Sequence, residues 1–132
     1  MPEISAASPR PGLLVTADLI FSTKTTGTAR ALGLEMFVVG TPAAAVERLA
    51  TTPAGCVILD LALPRLAPDA IAALVRAAAG TPVIAFGSHV DTASLDAARS
   101  AGCHDVMPRS RFAASLPQIL QEHLGLKPQS RT

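Results

Sequence analysis

Apolar and polar positions along this chain come in alternating blocks. Short apolar runs, about five residues long, are followed by longer segments whose apolar positions recur every three or four residues. The first run, Gly12–Ala17, follows a Pro-Gly turn signal and reads as a buried strand. Asp18 then caps a helix through Phe21, Lys24, Thr28 and Leu32, stopped by Gly33, although its Thr residues work against helix formation. Leu34–Val39 is the second strand, and Thr41-Pro42 opens a helix that ends before Pro53. The third run, Cys56–Leu61, is apolar except for Asp60. Beyond a loop holding Pro64, a helix spans Pro68–Ala79 and stops at Gly80. Pro82–Phe86 is the fourth strand, and Asp91 or Thr92 caps a helix through Leu95, Ala98 and Ala101 that Gly102 ends. Asp105–Met107 is a short fifth strand. The last helix is expected over Ala114–Leu124, which keeps Pro117 within its first turn.

Strands apolar on both faces and separated by helices imply a parallel sheet covered on both sides. Right-handed crossovers leave few topologies, and the pattern predicts an α/β, doubly wound, flavodoxin-like fold with strand order 2-1-3-4-5. Its crevice lies at the carboxyl ends of the strands. One domain is expected over residues 11–125, between a disordered segment at 1–10 and a flexible tail at 126–132. There is no internal repeat and no linker to a second domain.

The composition of the 132 residues narrows the function classes. Eleven Lys and Arg against ten Asp and Glu leave a formal net charge of +1, so charge alone draws in neither nucleic acid nor an anionic membrane. Only the end, Lys127 to Arg131, is locally basic. Trp and Tyr are absent and the four Phe are scattered, so no base-stacking platform is evident. No apolar run approaches the ~20 residues that span a bilayer, and no secretory h-region is found, which makes a cytoplasmic location the expectation. Cys56 and Cys103 form no Cys-x-x-Cys pair and read as small apolar residues near strand starts.

In such a fold the informative side chains are polar ones at the carboxyl ends of strands. These are Asp18, Asp60, the Gly87-Ser88-His89 segment and Arg109. Asp60 is the sharpest, since a carboxylate ending Val57-Ile58-Leu59 is costly to bury without a partner. Asp18 doubles as a helix cap. His89, His104 and Asp105 lack metal-ligand spacing, and Ser88, His89 and Asp91 crowd one turn without the relayed geometry of a hydrolase triad. The isolated Gly40 and Gly55 give no phosphate-cradling loop.

Three stretches carry a family resemblance. Val57-Ile-Leu-Asp-Leu-Ala-Leu-Pro-Arg-Leu66 and Ala101-Gly-Cys-His-Asp-Val-Met-Pro-Arg109, together with Pro82–Phe86, resemble the receiver domain of bacterial response regulators, over about residues 12–124. The resemblance implies a two-component signalling module in which a sensor histidine kinase passes a phosphoryl group to an Asp beside Mg²⁺. Carried over by position, Asp60 matches the phosphoacceptor, and Asp18, Asp60 and the Ala62 carbonyl match the Mg²⁺ ligands. Arg109 stands where the family has Lys. The departures are as telling: Ala17 replaces one acid after the first strand, and Gly87 replaces the hydroxyl residue ending the fourth, with Ser88 one step late. Val106 takes the aromatic switch position. Mg²⁺ binding is therefore expected to be weakened, and Gly87 and Val106 to be degenerate switch positions. Arg109 either holds Asp60 or a phosphoryl group in a bidentate pair, with Ser88 nearby, or neutralises Asp60 permanently.

The expectation is thus a stand-alone receiver-like module, not an enzyme, that acts through protein–protein contact and is degenerate in phosphotransfer. Its partner would be a sensor histidine kinase or an output protein, and a homodimer would use the fourth helix and fifth strand through Ala93, Leu95, Ala97, Ala98, Ala101 and Val106. One alternative is a working phosphoacceptor receiver using Asp60 and Mg²⁺. The other is a small-ligand-binding or enzyme-accessory domain in the same crevice.

Overall fold

The computed structural model describes residues 10–125. The tails expected at 1–10 and 126–132, with the basic end Lys127–Arg131, therefore lie outside the described residues except for Arg10. The described chain runs β1 (Gly12–Val15), α1 (Leu19–Ala31), β2 (Met36–Val39), α2 (Pro42–Thr51) and β3 (Cys56–Asp60). It continues through α3 (Pro68–Ala78), β4 (Val83–Gly87), α4 (Thr92–Ser100), β5 (Asp105–Pro108) and α5 (Arg109–Leu124). The strands form one parallel sheet in the order β2-β1-β3-β4-β5 that the alternating pattern predicts.

Residue parity decides what each face of the sheet buries. Leu13 and Val15, Val57 and Leu59, and Val83 and Ala85 join Ala45 of α2, Ile71 and Leu74 of α3, and Leu95 and Ala98 of α4 in one core. Leu14, Cys56, Ile58, Ile84 and Phe86 join Phe21 and Ala29 of α1 and Phe112, Leu116 and Leu120 of α5 in the other. Parity therefore sends the Asp60 side chain towards α1 and α5. In the pairing of β1 with β3, Val15 lies against Leu59. One step further, Thr16 comes level with Asp60.

Local chemistry explains the helices that propensity alone disfavours. In α1 the hydroxyls of Thr23, Thr26 and Thr28 donate to the carbonyls of Leu19, Ser22 and Lys24 at 2.9, 2.9 and 3.0 Å, so they are satisfied inside the helix. Gly33, at φ 76°, ends it, and the Leu34 N–H reaches back to the Ala29 carbonyl at 2.8 Å. Of the two candidate caps for α4, Asp91 serves, accepting from the Ser94 N–H at 3.1 Å.

The last helix departs from expectation. It begins at Arg109 and not near Ala114, which places Pro117 inside it, well beyond the first turn. Phe112 and Leu116, one turn apart, both bury against the sheet, and that requires helix from the end of β5 onward. Pro117 itself is exposed, so the backbone bond it forfeits to the Ala113 carbonyl faces the wet side of the helix. The early start matters for the site, because it makes Arg109 the first residue of α5.

Helix α3 ends in a strained way. Ala79 adopts the left-handed conformation, φ 49° and ψ 54°, where helices usually place Gly. That conformation costs a non-glycine residue roughly 1 kcal/mol. Ala79→Gly is expected to raise stability by up to about 1 kcal/mol, read by urea unfolding with far-UV circular dichroism. An unchanged or lower midpoint would contradict the assignment.

Candidate functional site

The crevice is built from the outset around one buried acid. Asp60 is only 3% exposed, and an ionised carboxylate there loses several kcal/mol of hydration unless donors replace the water. Thr16 and the chain just beyond β3 supply them. The Thr16 hydroxyl donates to Asp60 Oδ2 at 2.6 Å, and the Ala62 N–H donates to Oδ1 at 2.9 Å. Hydrogen bonds to a charged group contribute roughly 1.5–3 kcal/mol each, which is the scale needed to hold this acid. Thr16 also accepts from the Asp18 N–H at 3.1 Å, tying the turn after β1 to the end of β3.

Asp18 is doubly occupied. Its Oδ1 accepts from the Phe21 N–H at 2.9 Å as the cap of α1, and its Oδ2 accepts from Arg109 Nη2 at 2.9 Å. The bond from the Phe21 N–H, assisted by the Arg109 charge, holds the Asp18 carboxyl below the usual Asp value. Arg109 Nη1 lies 4.0 Å from Asp60 Oδ1, a looser ion pair. The guanidinium thus bridges the two acids, bonded to Asp18 and merely adjacent to Asp60.

What aims Arg109 is an aromatic cluster. The Phe residues look scattered in sequence, yet three converge here from α1, β4 and α5. Phe21 and Phe86 have ring centroids 4.8 Å apart, and Phe86 and Phe112 stack at 4.7 Å and 15°. The guanidinium carbon sits 4.7 Å from the Phe21 centroid and 5.4 Å from that of Phe86. Each such contact contributes roughly 0.5–2 kcal/mol, and together they favour this position for a side chain that is 37% exposed.

The remaining expected residues divide. Gly87 ends β4, and a Cβ built there would meet Leu61 Cβ at 3.3 Å and Leu95 Cδ2 at 3.6 Å. Apolar side chains therefore fill the neighbourhood where the resemblance puts a hydroxyl. Ser88 is exposed, and its Oγ accepts from the Val90 N–H at 3.4 Å; among the described residues no hydrogen bond joins it to Asp60, so it does not pair there as expected. Val106 is half-buried against the core on the α2–α4 side. On the expected dimer face, Leu95 and Ala98 are core residues at 6% and 0% exposure and offer no surface, while Ala93 is exposed and Ala97 and Ala101 are half-buried.

No group of three or more His, Cys, Asp or Glu that could hold a metal gathers among the described residues. His104 is committed to the sheet, its Nδ1 accepting from the Val83 N–H at 3.1 Å. Burial raises the Cys56 thiol to about 12 and that of Cys103 to about 11. They pack against opposite faces of the sheet, which excludes a bridge between them. Thr16 is the residue sequence reasoning missed. It sits at the end of an apolar run where a β-branched residue reads as strand filler, and only the register against Asp60 gives its hydroxyl a role.

No family model matches the chain, and no curated protein matches it. Solved structures do. The chain is similar to the receiver domain of the sensor histidine kinase PA1611 from Pseudomonas aeruginosa PAO1, which has a magnesium ion coordinated in its active-site cleft. The TM-score is 0.73 at 24% identity, over 89% of this chain and 99% of that one. A CheY-like receiver domain protein from Methanospirillum hungatei JF-1 gives 0.72 at 14%, over 88% and 97%. The chemotaxis response regulator CheY4 of Vibrio cholerae gives 0.73 at 14%, over 89% and 100%. The chain has the flavodoxin-like receiver fold. Among the described residues, no helix is long and apolar enough to cross a membrane.

The depressed Asp18 carboxyl gives a pH test. A group whose folded value lies below its unfolded one stabilises the protein above the unfolded value, and that support is lost as pH falls through the folded value. Stability is expected to fall as pH drops below about 4, and Asp18→Asn is expected to remove part of that acid limb. Urea midpoints at stepped pH would measure it; an acid limb identical in the variant would contradict the assignment.

Proposed function

We propose that the chain is a receiver-like signalling module that works by presenting a surface to protein partners, with its phosphotransfer chemistry degenerate. The observation that carries this reading is the state of Asp60, whose two oxygens already accept from Thr16 and Ala62. A phosphoacceptor must offer a carboxylate lone pair to phosphorus while cations draw charge from the phosphoryl oxygens. Among the described residues, the one cation that pairs with Asp60 is Arg109, and it is hydrogen-bonded to Asp18. Gly87 brings no hydroxyl, and Val106 brings no aromatic ring to report the event.

Magnesium would be held, on the resemblance, by Asp18, Asp60 and the Ala62 carbonyl, and would supply charge neutralisation at a phosphoryl group. The carboxylates fit it poorly. The divalent ion needs near-octahedral oxygen coordination, Ala17 contributes none, and all four oxygens of Asp18 and Asp60 already accept hydrogen bonds.

A surface is present at the same end of the sheet. Leu19 and Ile20, at the start of α1, are 77% and 84% exposed, and Val90, before α4, is 74% exposed. Apolar side chains of this size left in water suit an apolar protein partner, such as a sensor kinase or an output protein. The face of α4 and β5 offers Ala93, Ala97, Ala101 and Val106 to a second copy of the chain.

A second reading keeps a working phosphoacceptor, favoured by the position of Asp60 at the carboxyl end of β3 within 4.0 Å of a cation. Intact-mass spectrometry after incubation with acetyl phosphate and Mg²⁺, with Asp60→Asn as control, separates the two. The proposed function predicts no adduct. A single phosphoryl adduct that the control lacks would establish the second reading in its place.

A further inference from the structure

We infer that Arg109 is the resident cation of this crevice, in a fold whose receiver-domain relative from Pseudomonas aeruginosa holds a magnesium ion in its cleft, and that it excludes that ion. The inference deepens the proposed function and rests on its reading of the crevice as one held by internal contacts.

Three independent features converge on it. The guanidinium is 2.9 Å from Asp18 Oδ2 and 4.0 Å from Asp60 Oδ1, so it lies between the acids at the carboxyl ends of β1 and β3. It is held from behind by the rings of Phe21 and Phe86, which face it from α1 and β4. Its backbone is fixed as the first turn of α5, directly after β5. A cation so restrained loses little further freedom on pairing, whereas a metal ion entering from water must shed strongly held waters. It must also displace the arginine, leaving that charge over an aromatic cluster without its acid. The replacement of one acid by Ala17 is consistent with this exchange.

The device has a clear consequence. With no metal the guanidinium offsets one of the two carboxylate charges, so the state of the surrounding loops does not follow the Mg²⁺ concentration. Leu19 and Ile20 directly follow Asp18, which accepts from both Arg109 and the Phe21 N–H.

The test uses Mg²⁺ alone, without a phosphoryl donor, at constant ionic strength. The native chain and Arg109→Met are titrated while the backbone amide resonances of Asp18, Asp60 and Ala62 are followed by NMR. Methionine keeps an unbranched apolar side chain against the rings and removes the charge. The inference predicts that the Met variant binds Mg²⁺ at least about tenfold more tightly than the native chain. Equal affinity in the two proteins would overturn it. Should the Met variant fail to fold, the native chain decides through the Arg109 Nε–Hε resonance in the same titration. A resonance that stays in place supports the inference, and one that moves in step with saturation at Asp18 overturns it. Equal Mg²⁺ affinity in the native chain and the Met variant, without an acetyl phosphate adduct, would sink this inference alone. An adduct would sink the proposed function, whatever the titration gives.

Discussion

A carboxylate sealed at the end of an apolar strand constrains everything around it, because its charge must be met by donors wherever water is excluded. Asp60 is that group, and the polar geometry of the crevice follows from it. The Thr16 hydroxyl meets one oxygen and the Ala62 N–H the other. Thr16 in turn accepts from the Asp18 N–H, Asp18 caps α1, and Arg109 joins Asp18 from the start of α5. Three strand ends and two helix starts are thereby tied together on the side of the sheet that carries Phe21, Phe86 and Phe112. Apolar packing positions these groups, and the buried charge explains why they are polar.

Much of this was legible in the chain itself. Blocks of apolar residues separated by helical periodicity were enough for five strands, five helices and the strand order, because doubly covered parallel strands have little other use for continuous apolar runs. Asp60 announced itself as the one charged residue in its run. Asp18 was readable as a cap because Asp before a helix accepts a backbone N–H.

What was not legible depended on register or on tertiary packing. Thr16 carries no signal until β1 is set beside β3, and one step of slip would turn it away from Asp60. The pairing of Arg109 with Asp18 more than with Asp60 depends on rings from three elements that share no sequence motif. The start of α5 was hidden because Pro108 supplies no side-chain cap and Pro117 suggested a later beginning. The burial of Phe112 and Leu116 overrode both signals. The α4 face was over-read for a related reason: a run of small apolar residues does not say which of them point inward, and Leu95 and Ala98 do.

The Thr16 hydroxyl is there to satisfy the buried Asp60 carboxylate. A double-mutant cycle on Thr16→Val and Asp60→Leu tests it most directly, with urea unfolding followed by far-UV circular dichroism because the chain has no Trp or Tyr. Removing one partner of a charged hydrogen bond exposes its desolvation cost, whereas replacing both by apolar groups is close to neutral. Thr16→Val is therefore predicted to destabilise the native chain by about 2 kcal/mol and to cost less in the Asp60→Leu background, where only the bond from the Asp18 N–H is lost, a coupling of at least about 1 kcal/mol. Equal costs in the two backgrounds would contradict the account.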